Sequence, residues 1–264
     1  MNGFEEVDFA VAPERDLLLV PYENCDLYND VIRVFVEQLA FADGPEFQEM
    51  LTQVSAKLGF HGAQQLRSDE IETLMNICKY EMLWDVESPS AMCSAFSVGN
   101  HQVDEYHKDV DSYFRYGYGY TDYRTLFENL NCHLIQEMLR FLKSNLRTNH
   151  VARIFNGHLV SLKMILVTFG AFEDENPLTR HNFAQQAFRQ WKASIISPMG
   201  ANLGVIRYDC DGSDNDVLFL INETPLHIPG CQPNGLCKMS FLMERFGRFL
   251  NANCDEVFCR NSRE

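Results

Sequence analysis

The 264-residue sequence predicts an α/β, helix-rich fold. Apolar residues recur at helical spacing through the first half, and strand-like runs between turn signals fill the second. Hydrophobic residues make up 46% of the chain, with 20 Phe and 10 Tyr. That is enough apolar matter to bury a sizeable core, and it argues against disorder.

The elements follow in chain order. Val31, Val34, Phe35, Gln38 and Leu39 keep helical spacing and predict a helix over 28–41. Gly44-Pro45-Glu46 opens a second helix, and Gly59 suits its C-terminal cap. Asp69 and Glu72 have capping-box spacing and start a third. Ser88-Pro89-Ser90 breaks the chain. A helix over 103–114 ends at Gly117-Tyr118-Gly119-Tyr120, and one long amphipathic helix is expected over 126–146. The character then changes. Residues 151–155 read as a strand, Asn156-Gly157-His158 as a turn, and the apolar run to Phe169 as a helix. The runs 201–210 and 217–222, separated by a polar turn, predict an antiparallel hairpin. A helix over 238–250 closes the chain.

Charge excludes some partners. The net charge of −15 repels phosphate backbones, so nucleic acid is an unsuitable partner. A basic pocket inside an acidic shell still suits a small phosphorylated ligand. No apolar stretch approaches the roughly 20 residues of a membrane-spanning helix. Residues 1–10 are acidic with no basic residue and do not read as a secretory signal.

Nine cysteines are many for a reduced compartment. Cys231 and Cys237, then Cys254 and Cys259, are close in sequence across polar loops. Disulfides, free thiols and metal ligation remain open readings, although the spacings fit zinc poorly. The odd count leaves at least one free thiol, assigned here to Cys210. Asn222-Glu223-Thr224 is an N-glycosylation sequon. Cysteines and sequon together point to a secreted or lumenal origin.

Three stretches, in order, carry a family resemblance over most of the chain. The first is Cys78-x-x-Glu81, Ser88-Pro89-x-x-x-Cys93 and the run 111–120 with its Gly-Tyr-Gly-Tyr. The second is Phe155-Asn156-Gly157-His158, followed by Phe169-Gly170 and Asn176-Pro177-Leu178-Thr179. The third runs from Ser197-Pro198 through Ala201-Asn202-Leu203 to Leu220-Ile221-Asn222-Glu223 and Leu236-Cys237. The ordered set resembles the multiple inositol polyphosphate phosphatases, from the two-domain branch of the histidine acid phosphatases. The resemblance implies a helical cap domain plus the C-terminal part of an α/β/α phosphatase core. Residues 1–20 would be a core remnant or linker, 21–122 the cap and 123–264 the core portion.

The resemblance also implies a chemistry. Family members hydrolyse phosphate monoesters, without a cofactor, through a phosphohistidine in an Arg-His-Gly-x-Arg-x-Pro segment. A second His contacts the phosphate, and an acid two residues beyond it protonates the leaving alcohol. The sequence contains no Arg-His-Gly, so the resemblance implies a start beyond that segment. Arg180-His181 has no strand before it and no second Arg, and is rejected. His158 takes the phosphate-contacting position, where the following helix offers backbone N–H groups to an anion. Val160 stands where the family has the acid, and a missing general acid costs roughly 100- to 10,000-fold. Arg115, before the Gly-Tyr-Gly-Tyr turn, is the candidate for substrate binding. The tyrosines at 113–123 suit packing, and the acid run 173–175 suits a solvated loop.

The expected function is that of an inositol polyphosphate phosphomonoesterase, inactive as this chain. The alternative is a pseudophosphatase that binds a phosphorylated ligand or a protein. No metal and no cofactor is expected. An exposed apolar core face would make the chain aggregation-prone or dependent on a partner.

Overall fold

Helices build the first half of the protein, in a computed structural model that describes residues 10–32, 37–88, 90–144, 152–209 and 214–262. A π-helical turn, Tyr28–Ile32, and α1 (Glu37–Ala42) lie within the expected first helix, whose residues 33–36 are outside the described ones. Helix α2 (Pro45–Lys57) buries Phe47, Met50, Leu51 and Val54, the face its spacing predicts. Gly59 follows at φ +87°, and the Phe60 N–H returns to the Ser55 carbonyl at 2.8 Å. A left-handed residue there closes the last turn. Helix α3 (Ser68–Trp84) starts slightly earlier than expected. The Arg67 N–H donates to Glu70 Oε2 at 2.8 Å, so Glu70 rather than Glu72 closes the cap.

Helix α4 (Val98–Tyr116) is the central helix of this half. Ser97 Oγ accepts from the Asn100 N–H at 3.1 Å, and Asn100 Oδ1 accepts from the Ser97 N–H at 2.8 Å. This reciprocal cap extends the helix five residues before the predicted start. At the other end the Gly-Tyr-Gly-Tyr turn needs its glycines. A Cβ on Gly117 would meet Tyr113 O at 2.7 Å and the Trp191 ring at 2.8 Å. One on Gly119 would sit 2.5 Å from Phe114.

The single long helix expected over 126–146 is broken into α5 (Arg124–Leu130) and α6 (Cys132–Lys143). The break falls at Asn131, whose buried amide donates to the Phe127 carbonyl and to Thr168 Oγ1, both at 2.9 Å. Asn129 Nδ2 reaches the Arg260 and Ser262 carbonyls. These side-chain bonds to backbone compete with helix continuation.

Helix α7 (Leu159–Phe169) is apolar and mostly buried, and Gly170 caps it at φ +71°. Next come the short α8 (Ala193–Ile196), β1 (Leu203–Tyr208), β2 (Asp216–Ile221), β3 (Thr224–Pro225) and β4 (Leu236–Lys238). Helices α9 (Met239–Phe246) and α10 (Cys254–Val257) complete the described chain. The predicted hairpin forms, with Leu203 opposite Ile221 through Tyr208 opposite Asp216. Strand β4 pairs with the other edge of β2, also antiparallel. Val217, Phe219 and Ile221 are buried on one face, and Phe219 packs edge-on to Phe169 of α7 at 5.2 Å.

The predicted strand at 151–155 does not form. Residue 151 lies outside the described residues, and 152–157 are exposed and in no sheet. A strand exists only through its hydrogen-bonded neighbour, and no described segment supplies one here.

Four disulfides form among the described residues: Cys25–Cys259, Cys78–Cys93, Cys132–Cys254 and Cys231–Cys237. The 231–237 neighbours pair as their proximity suggests. Cys254 and Cys259 instead diverge across the turn of α10, one to α6 and the other to Cys25. Cys210 lies outside the described residues. The Cys78 and Ser-Pro motifs meet as one lock. Beside the Cys78–Cys93 bond, Glu81 Oε2 accepts from Ser90 Oγ at 2.5 Å and from the Met92 N–H at 3.3 Å.

Candidate functional site

His158 stands at the N-cap of α7 with extended backbone, φ −93° and ψ 157°. Its ring is exposed and makes no capping hydrogen bond. The first N–H groups of α7 therefore have neither an intrahelical partner nor a cap from His158. They carry the partial positive charge of a helix start, which favours an anion. The N-terminal residues border this end. The Ser161 hydroxyl donates to the Leu19 carbonyl, while Asp16 Oδ1 accepts from the Leu18 and Leu19 N–H groups at 2.9 Å.

Val160 carries no proton to donate. It is half-buried and packs against the hydrophobic core. The acids at 173–175 sit beyond the far end of α7, and two of them have structural partners. Glu173 pairs with Arg124, and Asp174 accepts from the Gln190 and Trp191 N–H groups at 2.6 and 3.1 Å.

Arg115 lies in the last turn of α4, half-buried. Its Nε pairs with Asp111 Oδ1 at 2.8 Å, and its carbonyl accepts from the Tyr28 hydroxyl at 3.1 Å. Neither a hydrogen bond nor an ion pair links it to His158 among the described residues. What lies between α4 and α7 is Lys163, one and a half turns beyond His158. Lys163 is only 4% exposed, with its ammonium 5.8 Å from the centroid of the Tyr116 ring. Burial pushes it down to about 8, against the opposing pull of Asp109 and Asp111. Burial likewise raises Asp111 above the ordinary carboxylate range, opposed by Arg115 and Lys163.

Sequence reasoning passed over this polar seam. Lys163 is the single charge in an otherwise apolar helix, and that anomaly was its one available signal. Asp109 and Arg189 carried none, being 80 residues apart in sequence. They form a fully buried pair, with Arg189 Nε donating to Asp109 Oδ2 at 2.6 Å and its Nη2 to Glu105 at 2.8 Å. The tyrosines behave as packing groups. Tyr113 and Tyr118 meet Trp191 edge-on at 6.2 and 5.7 Å, and the Tyr118 hydroxyl donates to the Ala171 carbonyl. The rejected Arg180-His181 pair is exposed, with Arg180 Nε donating to His181 Nε2.

An exposed histidine at a helix start suits an anionic ligand, whereas Arg115 is engaged by Asp111. Among the described residues no group of three His, Cys, Asp or Glu side chains is placed to hold a metal. No described helix is long and apolar enough to cross a membrane.

With this fold and site in view, the family is clear. The family model for the histidine phosphatase superfamily, branch 2, matches residues 2–222, and the chain belongs to that family. Its similar relatives include multiple inositol polyphosphate phosphatase 1 of Drosophila melanogaster, 32% identical over 94% of this chain and 52% of that protein. The Homo sapiens protein of the same name is 28% identical over 84% of this chain and 47% of its own length. An acid phosphatase of Schizosaccharomyces pombe is 25% identical over 66% of this chain. The chain spans about half the length of the inositol polyphosphate phosphatases of fly and human.

Proposed function

We propose that this chain is the cap and C-terminal core portion of an inositol polyphosphate phosphomonoesterase, one that binds its phosphorylated ligand without turning it over. The division is that read from the sequence, with 21–122 as cap and 123–264 as core. His158 contacts a phosphate at the start of α7, and Arg115 supplies positive charge from the end of α4. The observation that carries the reading is Val160, half-buried against the core two residues beyond His158. A valine donates no proton to a leaving alkoxide, and these 264 residues contain no Arg-His-Gly nucleophile segment.

Calorimetric titration with inositol hexakisphosphate tests the binding half. Saturable binding that weakens in His158→Ala and in Arg115→Ala supports it. Equal binding by wild type and both variants removes the site. The alternative, a protein-binding pseudophosphatase, gains ground if no inositol phosphate binds.

A secretory-pathway location accompanies this reading, supported by the four disulfides. The sequon sits at a turn where Asn222 has φ +48° and its Nδ2 donates to the Ile195 carbonyl at 2.8 Å. A mass loss after glycosidase treatment of protein from a secreting host tests whether a glycan is attached before this turn closes.

A further inference from the structure

The dipeptide Asn-Gly occurs twice among the described residues, and the fold treats its two copies differently. Asn156-Gly157 lies on the segment just before α7, and Asn234-Gly235 lies in the loop closed by Cys231–Cys237. An asparagine followed by glycine is open to attack on its own side chain. The glycine nitrogen can reach the side-chain amide carbon, because no Cβ crowds its approach. The reaction needs that nitrogen free of a hydrogen bond, the side-chain amide free to rotate, and backbone able to leave its resting conformation.

Asn234-Gly235 meets none of these conditions. The Gly235 N–H donates to the Gln232 carbonyl at 3.0 Å, and Asn234 Oδ1 accepts from the Leu236 N–H at 3.2 Å. Gly235 is buried, and a Cβ there would meet the Phe219 carbonyl of β2 at 2.6 Å. The Cys231–Cys237 bond holds the ends of the loop together. Asn156-Gly157 meets all three. Both residues are exposed, and 152–157 belong to no helix or strand. Among the described residues, no hydrogen bond engages either one. Beyond its chain neighbours, a Cβ on Gly157 would meet the Leu19 side chain alone, at 3.9 Å.

We propose that Asn156 is a site of spontaneous modification, converting to aspartate and isoaspartate through a succinimide, while the fold keeps Asn234 inert. The Gly157 nitrogen bonds to Asn156 Cγ as its proton passes to the leaving group. The bond from Cγ to the side-chain nitrogen breaks, and that nitrogen departs as ammonia. Water then opens the five-membered imide. Attack at Cγ gives aspartate, and attack at the backbone carbonyl gives isoaspartate. Either product places a carboxylate two positions before His158, at the helix start whose N–H groups favour an anion. The new charge opposes a bound phosphate. That consequence rests on the phosphate site proposed at His158, whereas the modification itself does not.

The test incubates the folded 264-residue chain at mildly alkaline pH and maps its tryptic peptides by mass. The peptide from Ile154 to Lys163 reports Asn156, and the one ending at Lys238 reports Asn234. The expected result is a gain of one mass unit at Asn156, about ten-fold faster or more than at Asn234. In the reduced, denatured chain the two sites convert at similar rates. Asn156→Gln, with its longer side chain, abolishes the gain in the first peptide. Equal rates in the folded chain, or a gap that persists unchanged on denaturation, overturns the proposal. Calorimetric titration reads the consequence. Asn156→Asp is expected to bind inositol hexakisphosphate about three-fold more weakly, or worse, than Asn156→Gln. Equal binding by those two, beside weakened binding by His158→Ala, overturns the charge effect. Conversion at 156 in a chain that binds no inositol phosphate removes the phosphate site and upholds the modification.

Discussion

Lys163 shows how one residue can set a pH dependence. Its ammonium is buried and titrates near 8 in the fold, against an ordinary value of 10.5. Between those values the unfolded chain holds the extra proton, so this group makes stability rise as pH rises from about 8 toward 10.5. Below 8 its cost is fully present. Lys163→Met is therefore expected to stabilise the protein at neutral pH by roughly 1–3 kcal/mol and to flatten that slope. Asp111 retains Arg115 and Asp109 retains Arg189, so neither carboxylate is orphaned. Urea unfolding at neutral and alkaline pH checks both points, and a destabilised variant would contradict them. Trp191 makes a second prediction at this scale. Its indole N–H donates to Ser112 Oγ at 2.9 Å inside the Tyr113–Tyr118 cluster. Trp191→Ala should cost about 3–5 kcal/mol, read from thermal or urea unfolding.

At the scale of elements, Asn131 decides where one helix becomes two. Its amide ties Phe127 of α5 to Thr168 of α7, so Asn131→Leu should cost about 1–3 kcal/mol by removing two buried hydrogen bonds. A denaturant midpoint unchanged from wild type would refute this. The same residue shows how far sequence reading goes. Helices α2, α3 and α4 were legible because their apolar spacing and caps are local. The hairpin of β1 and β2 was legible because its turn lies between two β-rich runs. The break at Asn131 was not, since what stops the helix is a hydrogen bond to a residue 37 positions away. The strand expected over 151–155 failed for the same reason, because strands depend on neighbours that periodicity does not reveal. His158 was singled out through its place in a motif, and its ring alone gave no signal. Lys163 and the Asp109–Arg189 pair stayed hidden because their meaning lies in contacts between α4, α7 and the segment before α8.

Across the whole molecule, long-range covalent links join the beginning to the end. Cys25–Cys259 spans 234 residues and Cys132–Cys254 spans 122. Closing loops of this size constrains the unfolded chain, so Cys25→Ser with Cys259→Ser should cost about 2–5 kcal/mol. Cys231–Cys237, which closes a separation of only 6, should matter less. Differential scanning calorimetry of the two double variants gives the order, and a reversed order would contradict it. These bonds also explain why close sequence spacing misled for Cys254 and Cys259. The helical turn at α10 directs the two sulfurs to different partners.

The proposed function joins these scales: in a phosphatase-family fold, we propose, His158 holds a phosphorylated ligand that these 264 residues do not cleave. Phosphate release from inositol hexakisphosphate by the purified chain, at acidic to neutral pH and beside His158→Ala, tests it most directly. The account predicts no release from either protein, in preparations whose cooperative unfolding shows them to be folded. Release by the wild type that disappears in His158→Ala would contradict it, and would mean that another group serves as nucleophile and donor.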